Sequence, residues 1–301
     1  DEWALVRTES STGEKYQDFD CYFGKDVTIE DDLLRRDLTV NSIAQDIETG
    51  EYIDPYGGIK DISNKILRHT SEAFAEDPVR VLRLARFYAR FGEEWTIAPE
   101  TQELCVKIYI EGKLQGLTPE RVFKELEKAL NTKNPSLFIN TLHGFGIFPI
   151  LEALEYVPQR LDHHPEGNVG IHQRRVMDYA AKTYGDPEIV FCGMMHDLGK
   201  FEAHEKYGNA LGHEAIGVSY VDAFCKEWKV PNNYRDLAVL VTKYHGKIHG
   251  MMPRGSNDWT TPKSIYKLFQ GTSAMTKPER FEKILKACVA DARGRGDNPE
   301  Q

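Results

Sequence analysis

The sequence AEDPVRVLRLARFYARF, residues 75–91, contains one carboxylate followed by a regular series of arginines in an otherwise apolar stretch. These charged positions lie three residues apart: Asp77, Arg80, Arg83 and Arg86. In an α-helix each residue turns by about 100°, so steps of three drift by about 60° and form a slanting stripe. The pattern predicts a helix that begins near Pro78, since proline is favoured in the first helical turn. Away from the stripe lie apolar residues: Leu82, Ala85 and Ala89.

The polar residues of this stretch allow two interpretations. In the first, Asp77 caps the helix N-terminus and the arginines extend to solvent. In the second, Asp77 and Arg80 read a nucleobase, because Asp only accepts hydrogen bonds and Arg only donates them. Cytosine and adenine both present an amino donor beside a ring-nitrogen acceptor, so this pair would accept C and A and reject U and G. Arg83 and Arg86 would then suit triphosphate oxygens.

Composition and charge restrict the class of protein. The 301 residues, 41% of them hydrophobic, are enough for two or three packed units. The formal net charge of -9 argues against binding nucleic acid through a global positive field, so any such contact must be local. Five scattered cysteines without a C-x-x-C pair indicate reduced thiols, and no apolar run is long enough for a membrane span. We therefore expect a cytoplasmic protein without disulfides that does not enter the membrane.

Strand-like and helical patterns divide the chain. The first 55 residues alternate turns with strand-like pieces, which predicts part of a mixed sheet: EWALVRT, FDCYF and GEYIDP. From about Ile59 the pattern becomes helical, and Gly144, Gly146 and Pro149 mark the end of that block. A second helical region begins near Val169, with predicted segments near 169–184, 187–197, 211–228, 232–245, 261–270 and 277–292.

Four motifs follow one another along the first half of the chain: DDLLRRDLTVNSIAQD (31–46), EYIDPYGGIKDI (51–62), EDPVRVLRLARF (76–87) and TPERVFKELEKAL (118–130). They resemble the successive motifs of the bacterial-type, class II tRNA nucleotidyltransferases, the CCA-adding enzymes. The resemblance implies a protein-templated polymerase that adds C, C and A to the 3' end of tRNA from CTP and ATP. It implies base reading by Asp77 and Arg80, and nucleotide binding by further residues: Arg36, Asp37, Arg83 and Arg86. For Asp37, a helix N-cap before LTVNSIA is a competing interpretation.

The carboxylates that bind metal in the N-terminal head of this family are not found at the expected position in this sequence. The resemblance implies a polymerase-β-like head in which a glycine-pair turn and helix hold the triphosphate and a D-x-D strand binds Mg²⁺. The motifs that follow the D-x-D begin here at residue 1, so we expect a truncated head, with Glu2 as a candidate third carboxylate. Asp18 and Asp20 form a literal D-x-D, but no glycine-pair turn precedes them and we interpret them as a chance match. Phosphoryl transfer needs the metal, so this chain is expected to bind nucleotides better than it polymerises them.

Eight of the ten histidines fall between residues 163 and 249. GMMHDLGK places His196 and Asp197 side by side, and His172 and Asp291 can converge with them from separate helices. Mixed imidazole and carboxylate ligands suit octahedral ions such as Mn²⁺, Ni²⁺ or Mg²⁺. The pattern resembles the HD phosphohydrolase superfamily, which implies that a metal-activated water attacks a phosphoester, with His196 and Asp197 catalytic. Additional contacts are expected from His213 and His245, and more weakly from His164 and Lys200.

These patterns predict an α+β fold: a small remnant of a polymerase-β-like nucleotidyltransferase sheet, a mostly helical neck and body, and an all-α HD domain. The expected boundaries are 1–58, 59–155 and 156–301. The expected function is CCA addition to tRNA together with a phosphatase, 2'-nucleotidase or 2',3'-cyclic phosphodiesterase activity. Three alternatives stay open: a poly(A) polymerase of the same superfamily, an HD phosphohydrolase with a catalytically incomplete tRNA-binding head, and a non-enzymatic RNA-binding scaffold.

Overall fold

The computed structural model describes residues 6–11, 19–22, 24, 26–162, 164–251 and 260–295. It divides the chain into two compact units, residues 1–125 and 126–301. Helices dominate both units, and the strands form three small sheets. The predicted α+β class, with an all-helical second half, is confirmed. The three functional parts with boundaries at 58 and 155 stay a prediction.

Among the residues that the structure describes, the strands all belong to the first unit and pair two by two. Strand β1 (Thr8–Ser11) is antiparallel to β2 (Phe19–Tyr22), and β3 (Ala44–Gln45) is antiparallel to β4 (Tyr52–Ile53). Strand β5 (Ile66–Leu67) is parallel to β6 (Thr96–Ile97). The strands predicted from FDCYF and GEYIDP are confirmed. Within the described residues, the strand predicted from EWALVRT begins only at Thr8, the last residue of that stretch. It then continues to Ser11, beyond the predicted strand.

Five α-helices begin in the described part of the first unit: α1 (Ile29–Leu34), α2 (Gly58–Asn64), α3 (Val79–Phe91), α4 (Pro99–Ile110) and α5 (Pro119–Leu130). Helix α3 carries the arginine stripe and begins just after Pro78, as predicted. It ends at Gly92, whose φ of 93° is disfavoured for other residues. Its apolar side is buried, with Leu82, Ala85 and Ala89 at 0% exposure. The helix is therefore an internal element whose arginines cannot all reach solvent.

The second unit contains nine further α-helices among the described residues: α6 (Ser136–Leu142), α7 (Pro149–Ala153), α8 (Val169–Tyr184), α9 (Pro187–Met195), α10 (Gly199–Tyr207), α11 (His213–Glu227), α12 (Asn232–Met251), α13 (Pro262–Thr272) and α14 (Pro278–Gly294). The six predicted segments correspond to α8, α9, α11, α12, α13 and α14. Helix α8 begins at an N-cap, because the side chain of Asn168 accepts a hydrogen bond from the Ile171 amide. It ends at Gly185, which has a φ of 60°.

Packing in the second unit brings separate helices to one place. Helix α8 packs against α9 and α14, and α12 packs against α9, α11 and α14. Gly199 is the first residue of α10. A side chain at Gly199 would collide with the backbone of His213 and Gly217, so glycine is what lets α10 approach α11 closely. This approach brings the start of α11 to the end of α9.

No helix in the described ranges is both long enough and apolar enough to span a bilayer.

Four cysteines, Cys105, Cys192, Cys225 and Cys288, are buried and free. Burial raises the pKa of the Cys105 and Cys225 thiols to about 12, so these thiols stay protonated and unreactive at neutral pH.

Candidate functional site

The base-reading pair predicted from the stripe lies at the start of α3, where Asp77 is held from two sides. Its Oδ2 atom lies 2.6 Å from Nη2 of Arg121 on α5, and its Oδ1 accepts a hydrogen bond of 3.3 Å from the Val79 amide. The second contact resembles an N-cap, although the residue at the cap position is Pro78. Arg80 donates from Nη1 to the Ala73 carbonyl at 2.7 Å. Both interpretations of Asp77 therefore keep a structural basis.

Asp37 and Arg83 meet although they are 46 residues apart in sequence. The Oδ2 atom of Asp37 lies 2.7 Å from the Arg83 guanidinium. Its Oδ1 accepts hydrogen bonds from the Leu38 amide and the Asn41 side chain. The segment LTVNSIA forms only a 3-10 turn capped by Leu38, so Asp37 is not the N-cap of an α-helix there. The carboxylate instead fixes an arginine of the stripe.

Arg36 is more exposed than Arg83 and Arg86, with 43% of its side chain accessible to solvent. Its Nη2 atom lies 3.1 Å from Oδ2 of Asp32, and its Nη1 donates to the Asn41 carbonyl. Arg36 thus hydrogen-bonds to Asn41, and Arg83 to Asp37, which itself accepts a hydrogen bond from the Asn41 side chain. Among the head carboxylates, Glu2 and Asp18 lie outside the described residues. Asp20 is in β2, and its side chain lies outside the description as well.

Arg86 differs from the other members of the stripe because its side chain is buried. Its Nε atom lies 2.5 Å from Oε2 of Glu125 on α5, and its guanidinium carbon is 4.1 Å from the centre of the Phe87 ring. Only 11% of the Arg86 side chain is exposed. This placement indicates a structural link between α3 and α5, and the predicted contact with phosphate stays a prediction.

Replacement of Arg86 by alanine is expected to destabilise the fold by about 3–5 kcal/mol, because it removes the guanidinium from a buried carboxylate. The double variant Arg86→Met, Glu125→Met is expected to recover much of this loss, since both charges are then gone. Urea unfolding of the three proteins is the measurement. An Arg86→Ala protein as stable as the wild type, but with weakened nucleotide affinity, would instead support the contact with phosphate.

The histidine and aspartate residues predicted as metal ligands come together in the second unit. His172 lies on α8, Asp291 on α14, and His196 and Asp197 directly follow α9. Nε2 of His172 is 3.0 Å from Oδ1 of Asp291. Nε2 of His196 is 3.2 Å from Oδ2 of Asp197 and 3.8 Å from Oδ1 of Asp291. All four residues are almost completely buried.

Two further predicted histidines lie on the other side of Asp197. Nε2 of His213, the first residue of α11, is 3.4 Å from Oδ1 of Asp197, and Nε2 of His245 on α12 is 3.6 Å from the same oxygen. The two Nε2 atoms are 3.2 Å apart. The Nζ atom of Lys200 lies 2.7 Å from Oδ2 of Asp197. Asp197 is therefore the centre of a larger cluster than the four-residue set.

The donor atoms of this cluster fit a bound divalent cation. In the described part of the chain, Nε2 of His196 and both carboxylate oxygens of Asp197 are buried without a hydrogen-bond partner. Their charged neighbours are at ion-pair distance, but none forms a well-aligned hydrogen bond. Ligand atoms of His172, His196 and Asp197 lie within 4.8 Å of one another, as do those of Asp197, His213 and His245. Buried polar atoms of this kind require a partner, and a metal ion supplies one.

Electrostatics favour the ionised carboxylates that a cation needs. Burial raises the pKa of Asp197, but the neighbouring His196 and Lys200 outweigh burial and hold this pKa well below its usual range. Burial likewise raises the pKa of Asp291, and His196 and His172 hold it well below its usual range. Conversely, burial lowers the pKa of His245, but Asp197 outweighs it and the pKa is raised. The pocket therefore presents two buried negative charges to its interior.

Two residues of the cluster were not predicted. Glu166, in the loop before α8, has its Oε1 atom 2.7 Å from Nδ1 of His172 and 2.9 Å from Nδ1 of His164. His249 on α12 has its Nε2 atom 2.6 Å from Oδ2 of Asp291. The position of His249, four residues after His245, puts both on one side of a helix and was a usable signal. Glu166 gave no such signal, because a single glutamate in a loop has no spacing pattern.

Comparison with known families divides the chain into three matched segments. Residues 2–68 match the family described as Poly A polymerase head domain. Residues 95–156 match the probable RNA and SrmB binding site of polymerase A, and residues 169–291 match the HD domain. The HD match runs from the first residue of α8 to Asp291, so it includes each predicted metal ligand.

A multifunctional CCA protein of Cupriavidus metallidurans is 44% identical to this chain, over 98% of the chain and 72% of the relative. Among solved structures, an apo CCA-adding enzyme has a TM-score of 0.61 and 22% identity, over 97% of this chain and 62% of that one. A CCA-adding enzyme in complex with ATP has a TM-score of 0.55 and 22% identity, over 87% of this chain and 55% of that one. The chain thus spans less than two thirds of either solved structure, and these two likenesses concern the fold alone.

Proposed function

Because the chain belongs to the family of multifunctional CCA proteins, we propose that it is part of an enzyme that adds C, C and A to the 3' end of tRNA from CTP and ATP. We further propose that its HD domain is a metal-dependent phosphohydrolase. The observation that carries the proposal is the coexistence of two sets of polar residues. One is the Asp77 and arginine stripe in the first unit, and the other is the buried histidine and aspartate cluster in the second.

In the nucleotide site, Asp77 and Arg80 are assigned the reading of the base. The contact with Arg121 orients the Asp77 carboxylate, and the contact with Asp37 orients the guanidinium of Arg83. Fixed acceptors and donors discriminate between bases because a wrong base leaves a polar group unpaired. Arg36 and Arg83 are assigned contacts with phosphate, and Mg²⁺ is proposed as the ion of the head.

In the HD domain, the residues that would hold a metal ion are His172, His196, Asp197 and Asp291. A divalent ion bound there supplies an activated water for attack on a phosphoester. The chain's own residues exclude bulk water from the ligands and place a cation, Lys200, beside Asp197. His213 and His245 face the same carboxylate and are assigned contacts with the ion or the phosphate. We propose Ni²⁺, Mn²⁺ or Mg²⁺ as the ion, and phosphatase, 2'-nucleotidase or 2',3'-cyclic phosphodiesterase as the activity.

The test of the transferase is the incorporation of labelled CMP and AMP into tRNA that lacks its 3' end, by the full-length protein. CTP and ATP are expected to be incorporated in order, and UTP and GTP to be rejected. Incorporation of AMP alone would favour the poly(A) polymerase alternative.

The phosphohydrolase is tested by hydrolysis of 2',3'-cyclic AMP with added Ni²⁺, Mn²⁺ or Mg²⁺.

Binding of tRNA is expected to weaken steeply as salt rises, because lysines that contact phosphates release counterions. Four lysines on α12 and α13 are exposed: Lys243, Lys247, Lys263 and Lys267. Lys247 and Lys267 also line an open groove of about 610 Å³ between the two helices. Arg254, which we also expect to contact tRNA, lies outside the described residues.

The measurement is the slope of log K against log salt for the wild type and for the double variant Lys247→Glu, Lys267→Glu. Each lost phosphate contact is expected to reduce the slope by about 0.7 to 0.9. The exposed Lys182 on α8 provides a control, Lys182→Glu. A wild-type affinity independent of salt, or equal slopes for the double variant and the wild type, would exclude this surface as the tRNA contact.

The domain division follows from the same proposal. We propose a nucleotidyltransferase head in residues 1–58, a nucleotide-selecting and tRNA-binding neck and body in 59–155, and the HD phosphohydrolase in 156–301. The matched segments 2–68, 95–156 and 169–291 support this order. We also propose a cytoplasmic location, in keeping with four buried, free cysteines among the described residues.

A further inference from the structure

Glu166 lies in the loop before α8, and its backbone position is fixed relative to that helix. The loop is closed by hydrogen bonds from the Gly167 amide to the His164 carbonyl and from the Gln159 amide to the Gly167 carbonyl. Gly167 has a φ of 88°, a conformation that favours glycine. The next residue, Asn168, caps α8, and its carbonyl accepts the amide of His172. The loop and the first turn of α8 thus hold Glu166 and His172 side by side.

The Glu166 side chain is completely buried, and its nearest polar neighbours are imidazoles. Oε1 accepts a hydrogen bond of 2.9 Å from Nδ1 of His164. The same oxygen is 2.7 Å from Nδ1 of His172, an ion-pair contact whose direction departs from that of an ideal hydrogen bond. A buried carboxylate thus lies directly against one edge of a predicted metal ligand.

His172 stands between two carboxylates, with Glu166 at Nδ1 and Asp291 at Nε2. A neutral imidazole has one N–H and one lone pair, and only the nitrogen with the lone pair can bind a metal. If the proton were on Nε2, it would be donated to Asp291 and the ring could not bind an ion on that side. A carboxylate at Nδ1 competes for the proton and leaves the lone pair on Nε2, which lies 3.0 Å from the predicted ligand Asp291.

We propose that Glu166 is a positioning residue of the HD metal centre: it holds the proton of His172 on Nδ1 so that Nε2 binds the metal ion. The proposal rests on the proposed metal centre of the HD domain. Residues that hydrogen-bond to a metal ligand without touching the metal contribute about 10- to 100-fold to metal affinity. Through the contact between Glu166 and His172, the affinity for the metal ion depends on the loop before α8.

The test is the affinity of the purified protein for Ni²⁺ and Mn²⁺, measured by calorimetry, in the wild type and in Glu166→Gln. The amide keeps the shape of the side chain but is a weaker acceptor, so the dissociation constants are expected to rise by about 10- to 100-fold. At saturating metal, hydrolysis of 2',3'-cyclic AMP is expected to return to within a few-fold of the wild type, because Glu166 acts only through His172. A general folding defect would not be restored by metal in this way.

Glu188→Gln is the matched control. Glu188 is near the start of α9 and contacts Asn233 and Lys283. The length of α9, about 1.5 Å for each residue, separates it from His196. The Glu188→Gln variant is therefore expected to leave metal affinity unchanged.

The binding nitrogen can also be determined in the wild type, which avoids the question of whether a variant folds. With ¹¹³Cd²⁺ as the probe and ¹⁵N-labelled histidine, the proposal predicts cadmium coupling to Nε2 of His172. Coupling to Nδ1, or a Glu166→Gln protein with wild-type metal affinity, would overturn it. A wild-type protein that binds none of these ions would instead overturn the metal centre of the proposed function.

Discussion

Replacement of His196 by alanine is expected to abolish hydrolysis of 2',3'-cyclic AMP while CTP and ATP binding stay unchanged. The His196 ring is 1% exposed, and its Nε2 atom lies between the carboxylates of Asp197 and Asp291. Removal of this nitrogen leaves two buried negative charges with one ligand fewer for a cation. The loss of activity is expected to exceed about 100-fold, since even residues that only support a ligand contribute up to that amount.

His204 provides a control for this variant. It lies on α10 in the same unit and belongs to none of the clusters of metal-ligating residues among the described residues. His204→Ala is expected to retain metal-dependent hydrolysis. A folded His196→Ala protein with wild-type activity would show that the reaction takes place elsewhere.

Replacement of Asp77 by alanine is expected to reduce the preference for CTP and ATP over UTP and GTP by about 5- to 150-fold, corresponding to about 1 to 3 kcal/mol for a bidentate base contact. The reason is that the alanine offers no acceptor to the amino group of cytosine or adenine. Asp77→Asn is a sharper variant, because its amide adds a donor that suits the carbonyl of uracil or guanine. The measurement is competitive incorporation of the four nucleotides by the full-length protein.

The contact with Arg121 supplies the competing explanation for Asp77. If this residue only joins α3 to α5, its removal should lower stability and overall rate while the ratio of nucleotides stays constant. Unchanged selectivity in both Asp77 variants would therefore assign Asp77 a structural role. Urea unfolding of the same preparations separates the effects on stability from those on selectivity.

Six of the seven described helices from α8 to α14 could be predicted because their ends carry strong local signals, whereas α10 was missed. Asn168 and Gly185 bound α8, and its predicted range agrees with the observed one. The turn between α9 and α10 was less predictable. Helix α9 ends at Met195 and α10 begins at Gly199. A glycine is needed there because α10 packs closely against α11, a contact with a later part of the chain that no local pattern indicates.

The stripe on α3 shows how far a periodic pattern can be extended. Asp77 lies before α3 in an extended conformation, with φ -123° and ψ 100°, so the helical spacing does not apply to it. The arginines also differ in their surroundings, because Arg86 is buried against Glu125 while Arg83 meets Asp37. The four residues therefore do not form one uniform surface. The partners Glu125 and Asp37 could not be predicted, since they are 39 and 46 residues away in sequence.

The metal cluster was partly predictable for a similar reason. Adjacent His196 and Asp197 are a local signal, and the high density of histidines between 163 and 249 is a compositional one. Glu166 could be recognised only once the loop before α8 placed its carboxylate against His172.

The two proposed sites of this chain, one for nucleotide selection and one for hydrolysis, are expected to act independently. The most direct measurement assays His196→Ala and Asp77→Ala in parallel for nucleotide selectivity and for metal-dependent hydrolysis of 2',3'-cyclic AMP. We expect a crossed result, in which His196→Ala loses only hydrolysis and Asp77→Ala loses only selectivity. Loss of both functions in either variant, with the protein still folded, would contradict it.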